Sequence, residues 1–334
     1  MRKKGLVEKI VMRSPASEDF SVNKFPKNRA KLFLYMLKNK FSKIYLNHLA
    51  TALFFVPLII WGVLTLSFSD WIFSLDPREG ITHFVEYWFT VYVTAIPLWA
   101  IAFLGLAGGL NVIRKLAWSD PVVLRTDFIS GIKSSGGQMA LIGLIWGVEY
   151  AIMRYVFHWL GFYYQVFDSS YSAVLGIVLC VFLTAMLFGF TVYMACMSSQ
   201  YKVSFGQLVR GAFKLYFADF ILANGVIILS LAPFLILMAL GYAITVLLAY
   251  LLLAFILLGI MIIPMFLVCQ HTFDRVINIK DYPLYYGRGL SYGTYTLGDS
   301  SLGDGIENED DQVSKYAQKS QAENKFERVS NDEN

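Results

Sequence analysis

Between Ala218 and Leu267 the chain runs fifty residues with one acidic side chain, Asp219, and no lysine or arginine. A run this apolar cannot keep its surface in water. In hydrocarbon every backbone N–H and C=O must be bonded within the segment, so such a run folds as helix. A helix of about 20 residues crosses the roughly 30 Å hydrocarbon core at 1.5 Å per residue. The run therefore holds two crossings, 218–240 and 243–267, with Gly241 and Tyr242 as the turn between them. Four earlier stretches meet the same criterion: 49–68, 84–107, 139–160 and 172–197. The expected architecture is all-α, a polytopic membrane protein with six transmembrane helices.

Composition agrees and excludes other classes. Hydrophobic residues make up 57% of the 334 and charged ones 16%, with a mean hydropathy of +0.54. Soluble domains average about 45–50% apolar and about 25% charged. A soluble enzyme and a nucleic-acid-binding module are both poor readings, and the bilayer is the first partner. Three cysteines, Cys180, Cys196 and Cys269, show neither Cys-x-x-Cys pairing nor zinc-ligand spacing, and read as small buried side chains. Residues 1–30 carry charges but no apolar core of signal-peptide length, so no cleavable leader is expected.

The formal charge of +4 is a sum of unlike parts. Residues 1–48 hold 12 Lys/Arg against 3 acids, whereas residues 281–334 hold 5 against 11. With the N-terminus in the cytoplasm, 26 of the 28 basic residues fall on the inner side; the other two are Arg78, in an outer loop, and Arg154, within a helix. Lysine and arginine favour the cytoplasmic face, which predicts both termini inside. The expected organisation is a basic tail over 1–29, a membrane domain over 30–280 and a disordered acidic tail over 281–334. Residues 30–48 carry Leu34, Leu37, Phe41, Ile44 and Tyr45 at helical spacing beside Lys31, Lys38, Lys40 and Lys43. That pattern predicts an interfacial amphipathic helix, whether as a plain basic anchor or as a sensor of anionic lipid. The 108–138 loop, broken at Asp120-Pro121, predicts two short amphipathic helices, the second capped near Ser119 or Asp120; the 198–217 loop predicts a polar break and one basic helix.

Ionisable groups inside a membrane helix are functional candidates, because burying them costs at least a few kcal/mol. The third span holds three: Glu149, Arg154 and His158. Glu149 lies near the midplane, and Arg154 and His158 share a face nearer the outer end. One reading makes Glu149 a proton or cation site of a small-solute transporter. The other bonds it to neighbouring helices while Arg154 extends outward. Glu86, Asp219 and Asn224 read as interfacial or interhelical. Gly105 with Gly109, and Gly143 with Gly147, form GxxxG pairs suited to packing within one bundle. Pro57, Pro97, Pro233 and Pro264 lie in or near spans. No phosphate loop, HExxH or GxSxG occurs, and His48, His83, His158 and His271 have no metal-ligand spacing, so neither an enzyme, a cofactor nor a metal is expected.

The run FLYMLKNKFSKIYLNHLATALFFVP, with Phe33, Lys40-Phe41, Leu46-Asn47 and Pro57, resembles the start of the bacterial YesL-like membrane proteins, a family of unknown function common in Gram-positive bacteria. The run GLAGGLNVIRKLAWSDPVVLRTDFISGIKSSGGQ is similar through Gly109, Ile113-Arg114, Asp127-Phe128, Gly131, Lys133 and Gln138, and SFGQLVRGAFKLYF resembles the last inner loop. The likeness covers about residues 30–270 and departs at Gly136-Gly137 and at Ala95-Ile96-Pro97. It implies an accessory or scaffold role beside a carbohydrate uptake system, with a transporter complex as partner. Arg114, Asp127, Phe128 and Lys133 are then the candidate cytoplasmic docking residues. The resemblance supplies no catalytic residue.

Overall fold

The computed structural model describes residues 25–73, 77–167, 170–240, 243–282 and 285–291. The remaining stretches of the two tails, the Gly241-Tyr242 turn and the side chains of Arg78, His83, Glu86 and His158 lie outside the described residues. Everything described is helix, turn or coil, with no strand among the described residues.

The order is α1 (Arg29–Phe73), α2 (Pro77–Trp118), α3 (Leu124–Phe167), α4 (Ser170–Gln200), α5 (Phe205–Ala218), α6 (Phe220–Ala239), α7 (Ala243–Leu252) and α8 (Leu258–Phe273). A π-helical turn at Leu253–Leu257 joins α7 to α8, and another at Asp274–Asn278 follows α8. Among the described residues six helices are long and apolar enough to cross a membrane: Arg29–Thr65, Tyr87–Trp118, Leu124–Phe157, Val174–Gln200, Phe220–Leu237 and Leu247–Asn278. This is the architecture of a polytopic membrane protein.

Two expectations about the connections change. The 108–138 stretch is not a loop with two short helices. α2 runs straight to Trp118 and α3 starts at Leu124, leaving a five-residue turn. The reason is burial: Val112, Ile113, Leu116, Ala117 and Phe128 all enter the core, so each flanking piece extends its span. Ser119 does not cap a following helix. It ends α2 in a left-handed conformation (φ 62°), with Ser119 N–H bonded to Leu116 O and Asp120 N–H to Lys115 O, the paired bonds of a Schellman motif. Residues 30–48 likewise do not form one separate helix, because the break falls at Lys40 and residues 41–48 run on into the first span. They belong to α1, which kinks at Lys40 (φ −125°, ψ 16°). The Lys40 ammonium leaves the cationic face and donates to Leu116 O (2.8 Å) and Ser119 Oγ (3.2 Å), where a positive charge complements the α2 dipole.

Glycines set how closely the spans approach. A Cβ on Gly143 would lie 2.8 Å from Trp99 O, and one on Gly147 3.0 Å from Ile96 Cα, so this pair seats α3 against α2. Gly105 and Gly109 face Phe54 and Thr51 of α1. Both GxxxG pairs therefore serve contacts within the chain. Gly259 meets α1 at His48, whose Nδ1 accepts the Gly259 N–H (3.0 Å) beside the π turn. Pro57, Pro97, Pro233 and Pro264 all lie inside helices.

At one end α1, α2, α3, α4 and α8 converge in a tightly packed dome. Its core includes Leu32, Met36, Leu116, Tyr193, Leu208, Phe266, Phe273 and Leu290, none more than 2% exposed. The last span is the central one, with 44% of its most apolar window buried against 11% for α6. Tyr285–Ser291, expected within a disordered tail, instead closes this dome: Leu290 is fully buried and Ser291 N–H bonds to Pro26 O (3.1 Å).

Candidate functional site

Two places carry concentrated polar chemistry, one within the spans and one in the dome. In the spans, Glu149 is half-buried, and its Oε2 is enclosed with no donor among the described residues. Glu149 and Arg154 do not pair. At 100° per residue, five positions place them on different faces of α3. Tyr150 and Arg154 turn toward α2, where Arg154 lies 5.9 Å from the Tyr92 ring and interacts with its hydroxyl. Phe157 offers a second ring at 5.8 Å, and the Tyr150 and Tyr250 hydroxyls add to the field around the guanidinium. Around them Tyr92, Trp99, Trp146 and Tyr150 pack edge to face or tilted, with Trp99–Tyr150 centroids 5.4 Å apart. Among the described residues this cation is held by aromatic faces and hydroxyls and by no carboxylate.

The residues singled out for docking separate into buried and exposed sets. Asp127 is buried: Oδ1 takes the Lys115 ammonium (2.7 Å), Oδ2 takes the Val123 N–H (2.8 Å), and its carbonyl accepts from Asn111 Nδ2 (2.7 Å). It thereby closes the first turn of α3 and ties that turn to α2. Phe128 is buried against Gly108 and Phe54. Arg114 is half-buried, donating to Ser199 O (2.8 Å) and Asn111 Oδ1 (2.7 Å) with its plane over Trp118. Lys133 alone of the four is exposed, in an open groove of about 620 Å³ lined by Arg125, Thr126, Ile129, Ser130, Lys133 and Ser134.

Other small and polar residues near these helix ends also join helices. Asn47 Nδ2 donates to Gly109 O (3.2 Å), and Gly131 packs on Ala107 O. Gln138 donates to Val203 O (2.7 Å) and accepts from Ser198 Oγ (3.0 Å).

Sequence reasoning missed the dome's central network. Arg29 and Asp274 form a buried ion pair, and Arg29 Nη1 donates to Arg288 O (2.8 Å). Asp274 Oδ1 accepts from Asn278 Nδ2 (2.8 Å) and Gly287 N (3.3 Å), and Asn278 Oδ1 accepts from the Tyr201 hydroxyl. Burial pushes the Tyr201 phenol up, keeping it protonated as a donor. Trp118 Nε1 donates to Gln270 Oε1 (3.2 Å), which passes the chain to Gln200 (2.9 Å). Arg288 lies 4.8 Å above the Trp118 ring and 3.5 Å from Asp120. A run of charged and amide residues scattered over 29, 200, 274, 278 and 288 leaves no local signal. Cys196 and Cys269 are buried against each other across α4 and α8, another adjacency without one.

Comparison with protein-family models, curated proteins and solved structures finds no match for this chain.

Proposed function

We propose that the chain is a non-enzymatic accessory or scaffold protein of the cell membrane, with six crossings and both ends in the cytoplasm, serving a bacterial carbohydrate uptake complex. The distribution of lysine and arginine supports that orientation, with the dome on the cytoplasmic side. The likeness to the YesL-like proteins supports the association with sugar import. The observation that carries the reading is the division of labour at the start of α3. Asp127 and Phe128 anchor the helix inward, and Arg125, Ser130 and Lys133 stay outward around an open groove. A rigid base under an exposed basic rim fits a surface that receives an acidic partner. Affinity purification from native membranes in mild detergent tests it. The wild-type chain retains a transporter subunit that the Arg125→Glu/Lys133→Glu variant loses, and equal recovery of that subunit by both would remove the proposal.

A second reading, proton-linked passage of a small solute, draws on the buried Glu149 Oε2 without a donor. Reconstituted chain then conducts protons under a pH gradient, and Glu149→Gln abolishes the flux. Identical flux in variant and wild type would end that reading.

A further inference from the structure

α5 is a short helix held between two helices that are long and apolar enough to cross a membrane, α4 and α6. Leu208, Ala212, Leu215 and Tyr216 are buried, with the Tyr216 ring against Gly189 of α4 and Met197 of α4 against Gly211. At 100° per residue those four positions occupy one side of the helix. Gly206, Gln207, Arg210, Phe213, Lys214 and Phe217 occupy the other, and all are exposed.

This uncovered side is itself divided. Phe213 (55% exposed) and Phe217 (44% exposed) form one edge, and Arg210 and Lys214 lie about 60° around from them. The aromatic edge does not stop at α5. Phe190 of α4, Phe213, Phe217 and Phe220 of α6 follow one another with ring centroids 6.2, 4.6 and 5.7 Å apart. That strip continues onto the exposed apolar surface of α6, where Ile221 is 87% exposed. A face continuous with the surface of a membrane-crossing helix is covered by the same material as that surface, namely lipid. The basic edge has no acidic ion-pair partner among the described residues to take it up. Among the described residues neither Arg210 nor Lys214 has an ion-pair partner, and Asp219, the acid at the α5–α6 elbow, is engaged by Arg275.

We propose that α5 is a half-submerged helix that binds an anionic phospholipid, its phosphate between Arg210 and Lys214 and an acyl chain along Phe213 and Phe217. The interfacial geometry supplies the apolar rest, and two cations on adjacent turns supply the charge selectivity. The proposal stands apart from the identity of any protein partner and needs only that the chain be a membrane protein.

The test uses the full chain, purified in neutral detergent and stripped of lipid. Its thermal midpoint is followed while phosphatidylglycerol, phosphatidylcholine or inorganic phosphate is added. Phosphatidylglycerol should raise the midpoint in a saturable way, with little change from phosphatidylcholine or from phosphate alone. The Arg210→Gln/Lys214→Gln variant, altered only at exposed positions, should melt at the wild-type temperature without lipid. It should bind phosphatidylglycerol roughly tenfold or more weakly, since each cation at an anionic lipid surface contributes about 1 kcal/mol. Phe213→Gln keeps both charges and should also weaken phosphatidylglycerol. Unchanged phosphatidylglycerol binding in the double variant would overturn the proposal. So would an equal response to inorganic phosphate, which marks a free-anion site.

Discussion

Asp120 shows what a single side chain experiences at the rim of the dome. It follows the left-handed Ser119, faces Arg288 at 3.5 Å, and sits in a site where burial pushes its carboxyl above the ordinary value of 3.8 despite that cation. A raised carboxylate pKa means the folded state prefers the protonated form. The associated stability is present below the ordinary value and is lost as pH rises through the folded-state value. Asp120→Asn should therefore melt higher than wild type at neutral pH, and the gain should shrink to nothing as the pH falls below 3.8. Melting curves across that range in one detergent check it; a gain that persists in acid would show another cause. The same scale explains the small and polar residues at the helix ends. Asn47, Gly109, Arg114, Asp127, Phe128, Gly131 and Gln138 each bond or pack one helix onto another. Residue types were readable in the sequence; that most of them face inward was not, because a charged residue beside a turn looks the same whether it meets solvent or a neighbouring helix.

At the scale of elements, the spans were legible because the cost of leaving apolar side chains in water adds up along a window. Helix ends were not. Asp120-Pro121 does mark a turn, but the pieces on either side, charged enough to read as surface helices, extend α2 and α3. The strap Tyr285–Ser291 was equally hidden, since its few apolar residues gain burial from residues far away in the chain, such as Trp118 and Tyr201. Its fit there rests on Gly289, with φ +81° and a would-be Cβ only 1.8 Å from Ala117 O. No other residue tolerates both conditions. Gly289→Ala should undock the strap, lowering stability by about 2–4 kcal/mol. Limited proteolysis would show it as new cleavage near Tyr285; protection equal to wild type would contradict it.

Across the whole molecule, hydropathy fixed the number of apolar helices, but the dome depends on partners far apart in the chain. Arg29 and Asp274 are separated by 245 residues, and Lys40 and Leu116 by 76. Such pairings follow from the packing of all the helices together, which no local window records. Losing one member of the Arg29–Asp274 pair would strand a buried charge, a cost of about 3–5 kcal/mol. Arg29→Ala should accordingly lower the melting midpoint far more than a substitution on the exposed flank of α1 such as Lys38→Ala.

The bond from Ser291 N–H to Pro26 O has a topological meaning. Because Pro26 and Ser291 meet, the stretch between them must pass through any sheet-like barrier an even number of times, whatever its sequence says about charge. That parity is consistent with the six long apolar helices among the described residues. It is independent of the distribution of lysine and arginine, which decides only which side the meeting point faces.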